Sequence, residues 1–414
     1  MKHTFRSLAG RDFRLYFLGQ IVSLVGTWVQ QVAFAWIAYR VTGSAFMLGL
    51  IAFSGQIPML ILTPFSSLLT DRFSRRGVLV VIQFIQMALA ASLAILAWHG
   101  DISPWVLVTA SLVLGVTGAV EMPVRQAFTP DIVHDRALMA NAIALNSVTF
   151  NAARLVGPAA AGVILAAVGE AACFAVNALS YVATIYTLLA IHPTPAAHGE
   201  VRKSMGEGVQ YVRQFAPARW LIITIVVASF CLAPYLTFMP VYAKDILKGG
   251  ADTLGMLMAA SGFGALMAAL YLANRKSLLG LGDRMVAGCF ATAIVSTAFA
   301  YNQVMWAAFP LLVVSGCGTI IVVTSSNILL QSLVPDNLRG QVMALYTMSF
   351  IGILPVASLV AGGIAHVVGV QPVFIASGLL FAALGFALWR KLPYLRQEAH
   401  PVLQEKGLLH PKKE

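Results

Sequence analysis

The sequence predicts an all-α membrane protein whose twelve transmembrane helices form two pseudo-symmetric six-helix bundles. Three observations carry that prediction. Of the 414 residues, 59% are hydrophobic and 10% charged, with a mean hydropathy of +0.82. Soluble domains carry about 25% charged residues, and a water-surrounded fold cannot hide this much apolar surface. Apolar runs of about 20 residues, the length that crosses a bilayer core of about 30 Å, recur along the chain. Finally, the stretch Glu121 to Gly162 returns in degraded form between Gln331 and Gly363. Gln126, Pro130 and Asp131 match Gln331, Pro335 and Asp336; Met139-Ala140 matches Met343-Ala344; Ala161-Gly162 matches Ala361-Gly362. Two such halves imply an axis along the membrane normal and a cavity between them.

The predicted spans are 14–39, 46–69, 77–98, 103–123, 139–167, 171–191, 219–243, 253–273, 285–300, 303–325, 341–365 and 372–390. Lys2, Arg6, Arg11 and Arg14 stand before or at the start of the first, which runs apolar from Phe13 to Tyr39. A secretory signal has an apolar core of roughly 7–15 residues, so this longer run reads as a retained helix. The ninth and tenth spans are divided only by Tyr301-Asn302-Gln303. Residues 1–191 make the first bundle, 192–218 a linker, 219–390 the second bundle and 391–414 a tail. Within the linker, Ser204 to Phe215 is expected to form a short amphipathic helix on the membrane surface. The tail is polar and broken by proline, and is expected to be poorly ordered.

Of the 27 Lys and Arg residues, only Arg40, Lys244 and Lys248 fall in loops on the side opposite the termini; Arg154 lies inside a span, and all the others lie in the tails or on the terminal side. The positive-inside rule therefore places both termini in the cytoplasm, in a multi-pass protein of a bacterial-type inner membrane. The same distribution explains the formal charge of +11 without nucleic acid as a partner. Cys173, Cys231, Cys289 and Cys317 all fall in apolar segments without metal-type spacing and read as inert buried thiols. There is no nucleotide-phosphate loop, zinc motif or nucleophile–base pair, and the chain is not expected to be an enzyme. The expected partners are the bilayer and a small-molecule substrate. No cofactor is expected, the driving force being a proton gradient, and the protein is expected to act as a monomer.

After the second span the chain reads Ser66-Ser67-Leu68-Leu69-Thr70-Asp71-Arg72-Phe73-Ser74-Arg75-Arg76-Gly77. This loop resembles the signature of the major facilitator superfamily, G-x-x-x-D-R-x-G-R-R. Asp71, Arg72, Arg75 and Arg76 match, while Ser67 and Ser74 replace two glycines. Such a loop works as an electrostatic latch: its acid meets a helix amino end or a basic partner, and its arginines meet carboxylates on neighbouring inner ends. Glu121, Asp131 and Asp135 lie on that side. The plainer reading is that the arginines only obey the positive-inside bias.

Span five contains Arg154-Leu155-Val156-Gly157-Pro158-Ala159-Ala160-Ala161-Gly162, which resembles the superfamily's antiporter motif, G-x-x-x-G-P-x-x-G-G. Gly157, Pro158 and Gly162 match, and Ala153 and Ala161 stand where glycines are usual. Small residues let helices approach closely, and Pro158 allows a bend. Arg154 is too deep in the span to reach an interface comfortably. An intramembrane charge costs roughly 2.5–3.5 kcal/mol on insertion scales and usually faces a cavity or a partner. Ser147, Asn151 and Arg154 share one helical face, and no carboxylate is expected at the same depth. Arg154 therefore either holds an anionic group of a substrate or is a structural arginine bonded to span one.

Glu121 is read within about one turn of the inner end of span four, either as a proton carrier or as a gate partner of Arg125 or the Asp71 loop. Glu121-Met122-Pro123-Val124-Arg125-Gln126, together with Gly19-Gln20, Ser23, Gly26-Thr27-Trp28, Trp36 and Thr42-Gly43-Ser44, resembles the branch of the superfamily that includes the enterobactin exporter. In this superfamily spans one, four, seven and ten line the cavity. The resemblance thus implies substrate contacts from Gln20, Thr27 and Gln31 in span one, and from Tyr235 and Thr319 in the second half. It implies a secondary transporter, with proton-coupled efflux of an amphipathic or anionic small molecule, a siderophore or a drug, as the expected activity. A lysophospholipid or other lipid transporter, and a non-transporting membrane sensor, are the alternatives.

Overall fold

The computed structural model describes residues 6–63, 73–133, 135, 138–193, 206–275 and 277–406. Asp71 and Arg72 of the signature loop lie outside the described residues, as does the side chain of Asn151. Among the described residues there is no strand, and twelve helices are long and apolar enough to cross a membrane.

A single 3₁₀ turn, Arg6–Ala9, leads into α1 (Arg11–Thr42). Then come α2 (Ala45–Leu62), α3 (Arg75–His99), α4 (Pro104–Ile132), α5 (Met139–Val168) and α6 (Glu170–Ala190). The short α7 (Gly206–Gln214) precedes α8 (Ala216–Val241), whose far end unwinds into a π turn, Tyr242–Ile246. The chain finishes with α9 (Ala251–Ala273), α10 (Leu281–Tyr301), α11 (Met305–Leu333), α12 (Arg339–Val368) and α13 (Val370–Glu405).

Local chemistry sets several ends. Ser44, Ser74 and Ser103 cap α2, α3 and α4, their hydroxyls accepting from the amides of Met47, Gly77 and Val106. The weak division at residues 301–303 is a real break: Asn302 donates to the Val304 carbonyl at 2.9 Å and accepts from its amide at 3.2 Å. Gly169 ends α5 at φ 83°, ψ −177°, and Gly369 ends α12 at φ 85°, ψ 170°. Only glycine adopts that backbone without strain. The two turns occupy equivalent places in the internal repeat, so the halves share a joint as well as a motif.

The chain divides into two compact units, Met1–Gly199 with Met239–Ala259, and Glu200–Phe238 with Ala260–Glu414. In the first unit, α1 packs on α5 and α6, α2 on α4, and α3 on α4 and α6. Its core at the end nearest the amino terminus gathers Phe13, Tyr16, Phe17, Leu79, Val124 and Phe128. A polar pair joins two helices inside the unit: Asn177 of α6 donates to Gln30 of α1 at 2.8 Å. Gly26 makes that approach possible, since a Cβ there would sit 2.5 Å from Ser180 Oγ and 2.7 Å from Asn177 Oδ1.

In the second unit α10 packs on α11 and α13, and α7 on α12. Two expectations change here. The linker helix does not stand apart from the protein: the Gly208 amide donates to Gln341 Oε1 at 2.7 Å and the Tyr211 hydroxyl to the Leu333 carbonyl at 3.2 Å. The tail also folds, because α13 continues through Pro393 and Pro401 to Glu405. Leu392, Leu395, Ala399, Val402 and Leu403 recur at helical spacing; four of them, all but Leu395, join the core with Tyr211, Val212 and Phe215. Lys406 then donates to the Ser332 and Val334 carbonyls at 3.1 and 2.6 Å, capping the end of α11.

Candidate substrate and gating sites

Helix α4 is longer than the predicted span. It continues past Pro123 to Ile132, so Glu121 lies about three turns inside the helix rather than one. Arg154 lies about four turns inside α5 from Met139. The two charges stand closer in register than the sequence implied, because proline in the first residues after Glu121 does not stop a helix whose remaining carbonyls are held by packing.

Glu121 is bound from three directions. Gln83 of α3 donates to Oε1 and Gln86 to Oε2, each at 2.8 Å, and Arg125 donates to Oε1 from one turn further along α4. Gln86 also donates to Thr117 Oγ1 at 3.2 Å. The Gln83 side chain is 1% exposed, and its own oxygen meets no hydrogen-bond partner among the described residues. Sequence reading missed both glutamines. Their signal was two amides three positions apart on one face of an otherwise apolar α3.

The described part of the signature loop makes two ties. Arg75 donates to Asp131 Oδ1 at 2.7 Å and to the Ala127 carbonyl at 3.2 Å, joining the start of α3 to the end of α4. Arg76 donates to the Leu189 carbonyl at 2.6 Å, at the carboxyl end of α6. In the second copy of the repeat the acid matching Asp131 is Asp336, which among the described residues pairs locally with Arg339. The Asp131 side chain is 5% exposed and that of Asp336 83%. Among the described residues the electrostatic joint is thus built in the first half and has no counterpart in the second.

Around Arg154 the first unit is arranged differently. Phe150 and Gly157, one turn to either side on α5, both meet Trp28 of α1. The Phe150 and Trp28 rings lie edge to face at 6.3 Å, and a Cβ on Gly157 would sit 2.3 Å from Trp28 Cβ. Arg154 is half-buried on the same face, and no hydrogen bond or ion pair reaches its guanidinium from the described residues. The stripe predicted on α1 splits in two. Gln20 is buried, whereas Thr27 and Gln31 are exposed along one face of the helix. Pro158 and Gly162 continue the α5 face towards α9, where Gly255 comes within van der Waals contact of both.

The two candidates of the second unit sit in its interior. Tyr235 is 7% exposed, its ring edge-on to Phe374 at 4.9 Å and tilted against Phe299 at 6.2 Å. Thr319 is 6% exposed on α11. Trp306, by contrast, is 83% exposed near the start of α11, as expected of an interfacial anchor. No group of three or more His, Cys, Asp or Glu suited to a metal occurs among the described residues.

Residues 2–408 match the family described as transmembrane secretion effector, one of the families of major facilitator transporters. Among characterised proteins, the chain is 24% identical over 373 residues to the staphyloferrin A transporter of Staphylococcus aureus, covering 88% of this chain and 92% of that one. It is likewise 24% identical over 396 residues to the multidrug efflux pump Tap of Mycobacterium tuberculosis, covering 92% and 94%. Its fold matches that of the nucleoside transporter NupG with a TM-score of 0.71 at 14% identity, over 92% of this chain and 99% of that one. The protein is a multi-pass membrane transporter and not an enzyme, and it belongs to the transmembrane secretion effector family of the major facilitator superfamily.

Proposed function

We propose that the protein exports an amphipathic small molecule carrying an anionic group, a siderophore or a drug, in exchange for protons and by alternating access of its two halves. The observation that carries this reading is the state of Arg154. Every other deep charge described in the first unit has an opposite partner, as in Glu121 with Arg125 and Asp131 with Arg75. Arg154 has none among the described residues, and the exposed Thr27 and Gln31 add neutral hydrogen-bonding groups on α1. A guanidinium held in a low-dielectric setting without a counter-charge is a site for a carboxylate, catecholate or phosphate.

Glu121 suits the coupling role. Its carboxylate accepts from Gln83, Gln86 and Arg125; when protonated it needs an acceptor instead, and the unpartnered oxygen of Gln83 supplies one after an amide rotation. The protonated carboxyl then keeps a hydrogen-bond partner, and the rotation that provides it turns the Gln83 amide nitrogen away from Glu121. Arg75, Arg76 and Arg125, with Asp71 and Arg72, form the cytoplasmic gate in this reading, the termini being cytoplasmic by their excess of basic residues. The names of the relatives support the substrate class, since a siderophore transporter and a multidrug pump align over nearly the whole chain.

The test is efflux from proteoliposomes with and without a pH gradient, against a panel of siderophores, anionic drugs, neutral drugs and lysophospholipids. Proton-driven export of anionic compounds, lost in Arg154→Ala, supports the proposal. Transport of lysophospholipids in preference to all others establishes the lipid reading in its place.

A further inference from the structure

The end of α8 and the start of α9, Met239–Ala259, belong to the first unit, although their helices come from the second half of the sequence. The docking is specific. Tyr39, 6% exposed at the far end of α1, donates its hydroxyl to the Asp245 carboxylate. The Lys244 ammonium stands 5.6 Å from the centre of the same ring. The π turn Tyr242–Ile246, anchored by the fully buried Tyr242, sets Lys244 and Asp245 in place. Next to Tyr39, Arg40 holds Glu170 of α6 at 2.7 Å. Below this cluster a Cβ on Gly255 would sit 2.6 Å from both Gly162 Cα and the Pro158 carbonyl, so α5 and α9 touch backbone to backbone.

We propose that Asp245 is a proton-binding site of an external latch, in which the Tyr39–Asp245 hydrogen bond holds the far end of the first unit closed and proton uptake releases it. The proposal rests on the export reading above, in which the far end faces the exterior. The chemistry is a single protonation. One Asp245 oxygen takes a proton from external water, and the Tyr39 phenol keeps its own throughout. A phenol–carboxylate bond is charge-assisted and about twice as strong as a neutral one. Protonation reduces it to a neutral contact and removes the anion beside Lys244.

The other charged groups facing this cluster do not substitute for Asp245. Glu170 is neutralised by Arg40, Lys248 is an exposed cation on the same segment, and Asp252 meets α5 through its backbone rather than its carboxylate. Asp245 is the acid that α1 grips directly. Its position ties external acidity to opening on the external side, as an antiporter that takes up protons there requires. The internal carboxylate, Glu121, would then receive its proton after the latch has opened.

The experiment uses the full chain in lipid nanodiscs, with Cys173, Cys231, Cys289 and Cys317 replaced by alanine and spin labels at Val41→Cys and Lys248→Cys. Distances are measured by double electron–electron resonance between about pH 8 and about pH 4. The latch predicts a longer-distance population that grows severalfold in acid. Asp245→Asn and Tyr39→Phe should show that population at both pH values. A wild-type distribution unchanged by pH, or an acid response that survives in Asp245→Asn, overturns it. The readout needs no substrate: proton-independent transport with an intact acid response refutes the export reading alone, and the converse refutes the latch alone.

Discussion

Arg75 and Asp131 lie 56 residues apart and meet through a 2.7 Å ion pair, with the Asp131 side chain 5% exposed. The pair clamps the start of α3 to the end of α4. Removing one partner leaves the other charge partly desolvated, a loss of about 3–5 kcal/mol where burial is complete. Arg75→Ala should therefore lower the thermal midpoint in detergent clearly. The double variant Arg75→Ala, Asp131→Ala should lose less than the sum of the two singles. Asp336→Ala, at the equivalent exposed position, should change the midpoint little.

Glu121→Gln keeps a hydrogen-bonding group between Gln83 and Gln86 but leaves Arg125 without its carboxylate. Substrate counterflow, which needs no net proton movement, should survive at a reduced rate. Efflux driven by a pH gradient should be lost. Retained proton-driven transport in this variant would remove Glu121 from the coupling path.

Arg154→Ala should weaken binding of anionic substrates by about tenfold or more, the effect of losing one charge-assisted contact of about 1.5–3 kcal/mol. Neutral substrates should be nearly unaffected, and Arg154→Lys should be intermediate because it loses the planar fork. Binding is measured by substrate-induced quenching of tryptophan fluorescence, with Trp28 close by. Since no described residue pairs with Arg154, the thermal midpoint should not fall; a large fall would make the arginine structural.

Gly157→Ala places a methyl 2.3 Å from Trp28 Cβ on α1. The helices must move apart, at a cost of about 1–3 kcal/mol. Gly363→Ala, where a Cβ meets nothing within 4 Å, is the matched control. Thermal unfolding of the two variants should separate them clearly.

Burial beneath the tail helix pushes the Tyr211 phenol up to about 12 from its ordinary 10. The folded form holds its proton more tightly than the unfolded one, so the sign is fixed. The stabilisation is fully present below pH 10 and is lost as pH rises towards 12. Hydrogen exchange in α7 should accelerate across that window, and Tyr211→Phe should remove the dependence. Deleting the chain after Arg390 should expose the same surface at neutral pH and lower the midpoint of the second unit.

What was legible in the sequence follows from periodicity and solvent. A bilayer accepts only helices of a certain length, so hydropathy alone counted the twelve spans and found where each begins to within about four residues, while the far ends of α2, α4, α11 and α13 differ by seven or more. The signature and antiporter-like motifs also identified the family, because their spacing is local. The length of α4 was misread, since proline marks a probable helix end and packing can override it at Pro123 and Pro130. The tail was misread for a related reason. Its polar composition concealed a stripe of apolar positions, four of which, Leu392, Ala399, Val402 and Leu403, share a core with Tyr211, Val212 and Phe215 far away in the chain.

The sequence by itself determined that this is a twelve-span transporter with a charge, Arg154, deep inside a span of the first half and none deep inside the spans of the second. Chain length, hydropathy and motif spacing are properties of the order of residues, and they require no contact to be read. Only the tertiary structure decided which polar groups are satisfied and which are left open. It gave Glu121 its two glutamines, seated Tyr235 in an aromatic core, divided the α1 stripe between interior and exposed faces, and brought Asp245 to Tyr39. Each of those outcomes depends on which helix faces which, and a helical repeat fixes a side chain's direction only relative to its own axis.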